Sequence, residues 1–461
     1  MVIVFFFSTV LLAVKLNRNF QLNRVFNFRK ELRRVRKKPQ PKPVAVQEGT
    51  LIGHAGKKPV YIANEAKHVF VCGTTGSGKT VALSNFIKNA IDNNLPALIV
   101  DGKGDVGNGS ILDMVKKLNT KGKKLYVINL SDPEQSDHYN PFTGATATIA
   151  KDMLINMTDW SEEHYKLNAE RYIQRIVQLL CMANQKLSFK LIIRFISTEK
   201  FEELSAYLLK MERISKEEHL ENMEIAKTSG KIAQSSTARF ATIAESEVNA
   251  IFSEDGIDIA TAMQENAIIL FVLNPLIYPE LSPNFGRLIL IDAKKAIGTL
   301  FKMNQRTFFI LDEINSYAST TLTDLVNKSR SAGVTCVLST QSLSDLDFAC
   351  GEAFKEQIIE NCNNYLVMRQ NSSVNSENWA KILGTKNTME MTYQLQQKGL
   401  DTAETGFGSA RRVREFFYHP DDIKTLGVGK GIFLSKDTNY HSRIQVLKPV
   451  SEEICYVAEN S

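Results

Sequence analysis

Residues Gly73 to Thr80 read G-T-T-G-S-G-K-T, and no other stretch limits so tightly what this chain can become. The preceding run His68, Val69, Phe70, Val71 and Cys72 reads as a short buried strand, and Val81 to Ala90 carries apolar residues at helical spacing. Strand, glycine-rich loop and helix in that order form a phosphate cradle. Glycines let consecutive backbone N–H groups turn inward on an anion, and the helix N-terminus adds its partial positive charge. Gly73, Thr74, Thr75, Gly76, Ser77 and Gly78 are therefore expected to wrap the phosphates of a nucleotide. Lys79 is expected to reach the β- and γ-phosphate oxygens, and the Thr80 hydroxyl to ligate Mg2+. The expected cofactors are ATP and Mg2+.

A second run, Phe308, Phe309, Ile310, Leu311, Asp312 and Glu313, is an apolar strand ending in adjacent acids. A rigid strand whose carboxyl end opens onto the nucleotide crevice can hold one carboxylate on the Mg2+ shell and a second on the attacking water. Asp312 takes the first role and Glu313 the second. Apolar runs ending in acids also cap ordinary β-α units, so the pair gains its meaning from the phosphate loop.

The 461 residues suffice for two or three domains, and 43% hydrophobic with 23% charged is ordinary globular composition. The net charge of +6 is unevenly spread. Between Lys15 and Lys42 there are eleven Lys or Arg against the single acid Glu31, a local +10, which leaves −4 for everything from Pro43 onward. This basic run follows Met1 to Val14, an almost wholly apolar segment shorter than the roughly 17 to 25 residues of a full membrane span. Positive charge after the apolar core, rather than before it, favours a single anchor with the N-terminus outside and the body in the cytoplasm. The basic run itself fits contact with an anionic membrane surface. The six cysteines show no C-x-x-C pairing, so neither a zinc site nor a disulfide framework is expected.

Residues 49–62 read as a hairpin around Gly56, Lys57 and Lys58. Further strands are expected at 68–72, 96–101, 124–130, 267–273, 307–312, 334–339 and 364–369, most separated by helical periodicity. That alternation implies a mainly parallel, doubly covered α/β sheet. Between Asn140 and Asn266 the rhythm breaks into long amphipathic stretches without strand signal. The expected organisation is a membrane anchor at 1–16, a basic juxtamembrane linker at 17–45, a nucleotide-binding domain split between 46–149 and 261–450, an all-helical insert at 150–260 and a tail at 451–461.

In this order of features the chain resembles the coupling ATPases of type IV secretion and bacterial conjugation, relatives of FtsK-like and HerA-like DNA pumps. The resemblance runs from about residue 49 to 436. It rests on the phosphate loop, V-D-G-K-G-D at Val100 to Asp105, Y-N-P-F at Tyr139 to Phe142, the Asp312-Glu313 pair, S-R-S-A-G at Ser329 to Gly333, L-S-T-Q-S at Leu338 to Ser342, and the stretch Arg411 to Leu434. It implies a RecA-like P-loop NTPase fold and a homo-hexamer docked on a type IV secretion channel. Its partners would be single-stranded DNA and the attached relaxase, and its seat the bacterial cytoplasmic membrane. Gln341 would sense the γ-phosphate, and Arg330 would be an arginine finger reaching the neighbouring subunit's nucleotide. A polar strand cap and a solvated surface arginine are the alternative readings of these two residues. Lys103 is either a nucleotide or interface contact or a loop lysine.

The sequence departs from the family in its short apolar N-terminal segment and in Ile314, Asn315, Ser316 and Tyr317 after the acidic pair. Three activities stay open at this point. One is a motor for single-stranded DNA, one a double-stranded DNA translocase of the FtsK type, and one a membrane receptor or transporter for proteins. In the last, the acidic residues Glu217, Glu218, Glu221 and Glu224 of the helical insert would serve as the docking face.

Overall fold

The computed structural model describes residues 15–16, 49–63, 65, 67–303, 305–398 and 401–449. Apart from Lys15 and Leu16, the expected anchor, linker and tail lie outside the described residues. Among the described residues no helix is long and apolar enough to cross a membrane.

Thirteen strands are described: β1 Gly49–Ala55, β2 Lys58–Ala63, β3 His68–Cys72, β4 Ala97–Asp101, β5 Leu125–Asn129, β6 Ile268–Val272, β7 Thr307–Asp312, β8 Val334–Thr340, β9 Cys362–Met368, β10 Thr385–Lys398, β11 Asp401–Phe416, β12 Lys430–Ser435 and β13 Tyr440–Val446. Eleven of them form one sheet in the order β2-β1-β13-β12-β9-β3-β8-β7-β4-β6-β5. From β9 to β5 every pairing is parallel, and the β12, β13, β1 and β2 edge is antiparallel. The central strands β3, β4, β6, β7 and β8 are buried along their whole length. That is why they read as continuous apolar runs rather than alternating ones.

Two cores sandwich the sheet. On one face the helices Lys79–Asp92 and Ile111–Leu118 set Leu83, Phe86 and Val115 against Val69, Ile99 and Ile310. On the other, the helix Leu281–Met303 packs Phe285, Leu288 and Ile289 on Phe271 and Leu311. That second core continues without a break into Tyr172, Ile176 and Phe201 of the helices between β5 and β6. From Ala147 to Gln264 the elements are all helical.

The chain enters and leaves this helical region at one tightly bonded crossing. Tyr139 N–H donates to Ile251 O at 2.8 Å and Asn140 N–H to Ile257 O at 2.9 Å, and the Asn140 amide donates to Leu187 O and Glu254 O. Gly256 is required here, because a Cβ on it would lie 2.5 Å from the Tyr139 carbonyl carbon. Beneath the crossing, Lys295 Nζ donates to Pro141 O and Thr143 O at 2.8 and 2.7 Å and pairs with Asp258 and Asp292, each at 3.0 Å. Tyr139 Oη closes the cluster on Asp292 at 2.9 Å.

The strand positions agree with the sequence reading to within one or two residues, but β10 and β11 form an unexpected two-stranded antiparallel ribbon outside the main sheet. In its first strand, T-K-N-T-M-E-M-T-Y-Q-L-Q-Q-K, Met389, Met391, Tyr393 and Leu395 do recur at strand alternation, a signal that the strands expected above leave out.

Candidate active site

Because the central strands are parallel, their carboxyl ends share one edge, and the register fixes which ends are neighbours. Cys72 lies level with Thr340 on one side and Val367 on the other, and Asp101 lies level with Asp312. The phosphate loop leaves β3 in the middle of this edge. Gly76 and Gly78 adopt left-handed backbone, with φ of 74° and 107°, and Gly78 caps the Lys79–Asp92 helix. The loop is tied to both adjoining strands, since Gly73 N–H donates to Thr340 O at 3.3 Å and Thr74 N–H to Arg369 O at 2.9 Å. At its far end Ser77 O accepts Gly429 N–H at 2.8 Å, from the turn leading into β12. Thr80 is the second residue of the helix and only partly buried.

Lys79 Nζ donates to Gly73 O at 2.7 Å and lies 3.3 Å from Glu313 Oε1, with both side chains less than a tenth exposed. Thr75 Oγ1 donates to Gln341 Oε1 at 3.1 Å, and the Gln341 side chain also lies against Glu313. The edge therefore brings together Lys79, Thr75, Asp312, Glu313 and Gln341.

Glu313 has φ 46° and ψ 52°, left-handed backbone that a non-glycine residue adopts at a cost of roughly 1–2 kcal/mol. The turn that holds it there includes Ser316, whose N–H and Oγ both donate to Glu313 O at 2.9 and 2.7 Å. Tyr317 Oη donates to Asp312 O at 2.9 Å, and Thr340 Oγ1 donates to Asn315 Oδ1 at 3.1 Å. Asn315, Ser316 and Tyr317 thus buttress the strand end.

Three carboxyls crowd this corner. Burial, and then the neighbouring Asp312, push Asp101 up to about 7, while the backbone N–H groups of Lys103 and Gly104, at 3.0 and 3.1 Å, pull it down. Burial raises Asp312 above the usual carboxylate range against the pull of the Ser339 hydroxyl and Lys79. Glu313 is raised by burial and by Asp312. The sequence reading gives Asp101 no role of its own, and the structure sets it in this corner. Its signal is the acid ending a buried strand in V-D-G-K-G-D, followed by Gly104, where a Cβ would strike Leu273 O at 1.5 Å.

Asp312 Oδ1, Glu313 Oε2 and Ser77 Oγ are buried without a hydrogen-bond partner among the described residues. Buried polar atoms are ordinarily satisfied, so orphaned oxygens beside a phosphate cradle mark the place of a ligand. Carboxylate and hydroxyl oxygens suit Mg2+, which takes few protein ligands and completes its shell with phosphate and water. The residues present fit a Mg2+-nucleotide.

Arg330 is placed elsewhere. It is exposed and precedes β8, so it stands at the opposite edge of the sheet from the loop, separated by the length of the Val334–Thr340 strand, roughly 20 Å. Lys103 is exposed and paired with Asp105 at 3.0 Å. Lys121, Lys123 and Lys124 are engaged by Asp92, Asn94 and Glu265. Of the acidic residues on the Lys216–Ile225 helix, Glu218 completes a capping box with Ser215 and Glu221 pairs with Arg175.

A mostly parallel α/β sheet whose central loop and flanking carboxylates converge on one edge defines a nucleotide-binding protein of the phosphate-loop class. Comparison with known proteins narrows this further. The family model described as the type IV secretion-system coupling protein DNA-binding domain matches residues 52–446, and the chain belongs to that family. It is similar in fold to the bacterial conjugative coupling protein TrwBdeltaN70 in an unbound form, at a TM-score of 0.62 and 16% identity over 92% of each chain. The plasmid coupling protein TrwB in complex with ADP and Mg2+ matches at a TM-score of 0.61 and 16% identity, covering 87% of this chain and 90% of that one. A protein of uncharacterised function from Mycoplasma pneumoniae (strain ATCC 29342 / M129) is 33% identical over 92 residues, covering 16% of this chain and 77% of that protein.

Proposed function

We propose that this chain is an ATP-hydrolysing coupling motor with a RecA-like P-loop core. It moves single-stranded DNA with its attached relaxase toward a type IV secretion channel. The observation that carries the reading is the convergence of Lys79, Asp312, Glu313 and Gln341 on one loop, with buried oxygens left for a ligand.

In this mechanism the loop N–H groups and Lys79 hold the β- and γ-phosphates, and Thr80 and Asp312 hold Mg2+. Held there, Mg2+ would supply neutralisation of phosphate charge. Glu313 orients and polarises water, and its raised pKa matches it better to taking a proton near neutrality. Gln341 bridges Thr75 and Glu313, so a change at the γ-phosphate reaches β8 through one side chain. Arg330, exposed at the far edge, serves a neighbouring subunit's nucleotide in a homo-hexamer. The segment 1–16 anchors the assembly in the cytoplasmic membrane, and the basic linker lies on anionic lipid. Residues 46–149 and 261–450 form the motor domain around the helical insert at 150–260.

The test is the ATPase rate of the purified full-length chain with and without single-stranded or double-stranded DNA, with Lys79→Ala as the blank. Stimulation by single strands, with oligomer formation and its loss in Arg330→Ala, is expected. Stimulation by duplex alone would point to a chromosome-type pump. A rate indifferent to DNA would point to a protein receptor or transporter.

A further inference from the structure

A third charged group stands at the phosphate loop with a buried polar atom unpartnered among the described residues. Arg369 is the first residue beyond β9, the strand that flanks β3 on the side away from β8 and β7. Its position is set by the loop itself. The Arg369 carbonyl accepts Thr74 N–H at 2.9 Å, the next residues carry Asn371, whose amide donates to Thr74 Oγ1 at 3.3 Å, and the preceding Met368 packs beneath the glycines. A Cβ on Gly73 would come within 2.7 Å of Met368 Cβ, and one on Gly78 within 3.2 Å of its Cε. Arg369 is half-buried, and its Nε is shut off from solvent with no hydrogen-bond partner among the described residues.

The orphaned atoms around the loop divide by sign. Two carboxylate oxygens, on Asp312 and Glu313, stand on the β7 flank. The guanidinium nitrogen of Arg369 stands on the β9 flank, with the Ser77 hydroxyl in the loop between. Arginine stays charged at any pH a protein meets and presents a planar fork shaped for phosphate. Burial of Nε without an acceptor is unfavourable, and beside the phosphate loop the group that would satisfy it is an anion. A ligand that is anionic toward β9 and metal-clad toward β7 satisfies both flanks, and Mg2+-nucleotide is such a ligand.

We propose that Arg369 is a phosphate-binding residue acting in cis, its guanidinium donating to a phosphate oxygen of the nucleotide held by its own subunit's loop. The inference deepens the ATPase reading and rests on it. It assigns the β9 flank an anion-binding role separate from that of Arg330, which serves another subunit.

The experiment is titration of the purified full-length chain with fluorescent mant-ADP and mant-ATP in Mg2+, beside thermal melting without nucleotide, for wild type, Arg369→Gln, Arg369→Lys and Lys79→Ala. Arg369→Gln is expected to weaken both nucleotides roughly 10- to 100-fold with an unchanged or higher melting temperature, since it removes a half-buried charge with no acceptor for its Nε among the described residues. Wild-type affinity in Arg369→Gln while Lys79→Ala loses binding would overturn this inference and leave the ATPase reading standing. The inference is equally overturned if nucleotide affinity is intact and only DNA stimulation is lost. No binding by wild type would sink the ATPase reading itself. If Arg369→Gln melts early, Arg369→Lys decides: weakened binding at wild-type melting temperature supports a fork on phosphate, and unchanged binding refutes it.

Discussion

Two buried charge clusters, built from similar residues, do opposite things. At the crossing of the helical region, Lys295 faces two carboxylates and two backbone carbonyls, and Asp292 Oδ2 accepts from both Tyr139 Oη and Ile259 N–H. At the phosphate loop, Lys79 faces one carboxylate and one carbonyl. There Asp312 Oδ1 has neither a hydrogen bond nor an ion pair among the described residues, whereas Asp292 Oδ1, which also lacks a hydrogen bond, is held by Lys295 at 3.0 Å; Glu313 keeps Oε2 unpartnered and holds a left-handed backbone. In the first cluster both carboxylates share the one cation Lys295, and the cluster fixes where the helical region joins the sheet. The second is incomplete without a ligand. Burial of charge alone does not distinguish structure from function, whereas the state of its partners does.

The contrast can be broken most directly by removing each lysine. Lys295→Met strands two buried carboxylates and two carbonyls, and is expected to cost about 3–5 kcal/mol of stability, read as a large fall in melting temperature. Lys79→Met leaves one carboxylate and one carbonyl without their cation, against two of each at Lys295, so it is expected to cost clearly less stability than Lys295→Met while abolishing nucleotide turnover. Equal destabilisation by the two would refute the distinction.

Next in size is Glu313→Gln. The substitution keeps the shape of the side chain and removes its basicity, so turnover should fall roughly 10²- to 10⁴-fold while mant-ATP binding persists. Turnover within a few-fold of wild type would remove Glu313 from the chemistry.

How much of this contrast can be read from the chain follows from the range of the interactions. Lys79, Asp312 and Glu313 stand out because each belongs to a short motif whose local order, strand then loop or strand then acid, carries its own physical meaning. The central strands stand out because burial on both faces demands unbroken apolar runs. The Lys295 cluster is hidden because its members, Tyr139, Pro141, Thr143, Asp258, Asp292 and Lys295, come from three separate stretches of chain. Y-N-P-F reads as a turn, but nothing local names its partners. Arg369 reads as an ordinary polar strand end until pairing with β3 sets it beside Thr74. The β10–β11 ribbon is legible in part, since Met389, Met391, Tyr393 and Leu395 alternate with polar residues, but nothing local says that its two strands pair with each other outside the main sheet.

The two ends of β3 offer a further test. At the end away from the loop, His68 is buried, with Nε2 2.8 Å from Val326 O and Nδ1 accepting Cys336 N–H at 3.0 Å. Only the neutral ring protonated at Nε2 serves both contacts, and burial depresses the pKa to about 4 from 6.5. A depressed histidine takes up its proton later in the folded state than in the unfolded. The stability tied to neutral His68 is therefore present above about pH 6.5 and is lost as pH falls from there toward 4. The loss is bounded at about 3 kcal/mol. Melting of wild type against His68→Gln across that window should show a steeper acid decline in wild type. Parallel curves would mean that His68 is not held neutral.

The smallest expected effect isolates the strain at the site. Glycine adopts φ near 46° without the Cβ clash that Glu313 bears, so Glu313→Gly should relieve left-handed strain and remove a buried, poorly satisfied carboxylate. Against that stands the extra freedom of glycine in the unfolded chain, about 0.5–1 kcal/mol. The net expectation is a gain in stability of about 1 kcal/mol, with turnover lost as in Glu313→Gln. A comparable gain is excluded at Asp292, whose carboxylate is engaged on one oxygen by Lys295 and on the other by Tyr139 and Ile259, so Asp292→Gly should destabilise. If Glu313→Gly melts lower than wild type, then the turn through Ser316 depends on the carboxylate itself, and the strain at Glu313 is structural rather than kept for chemistry.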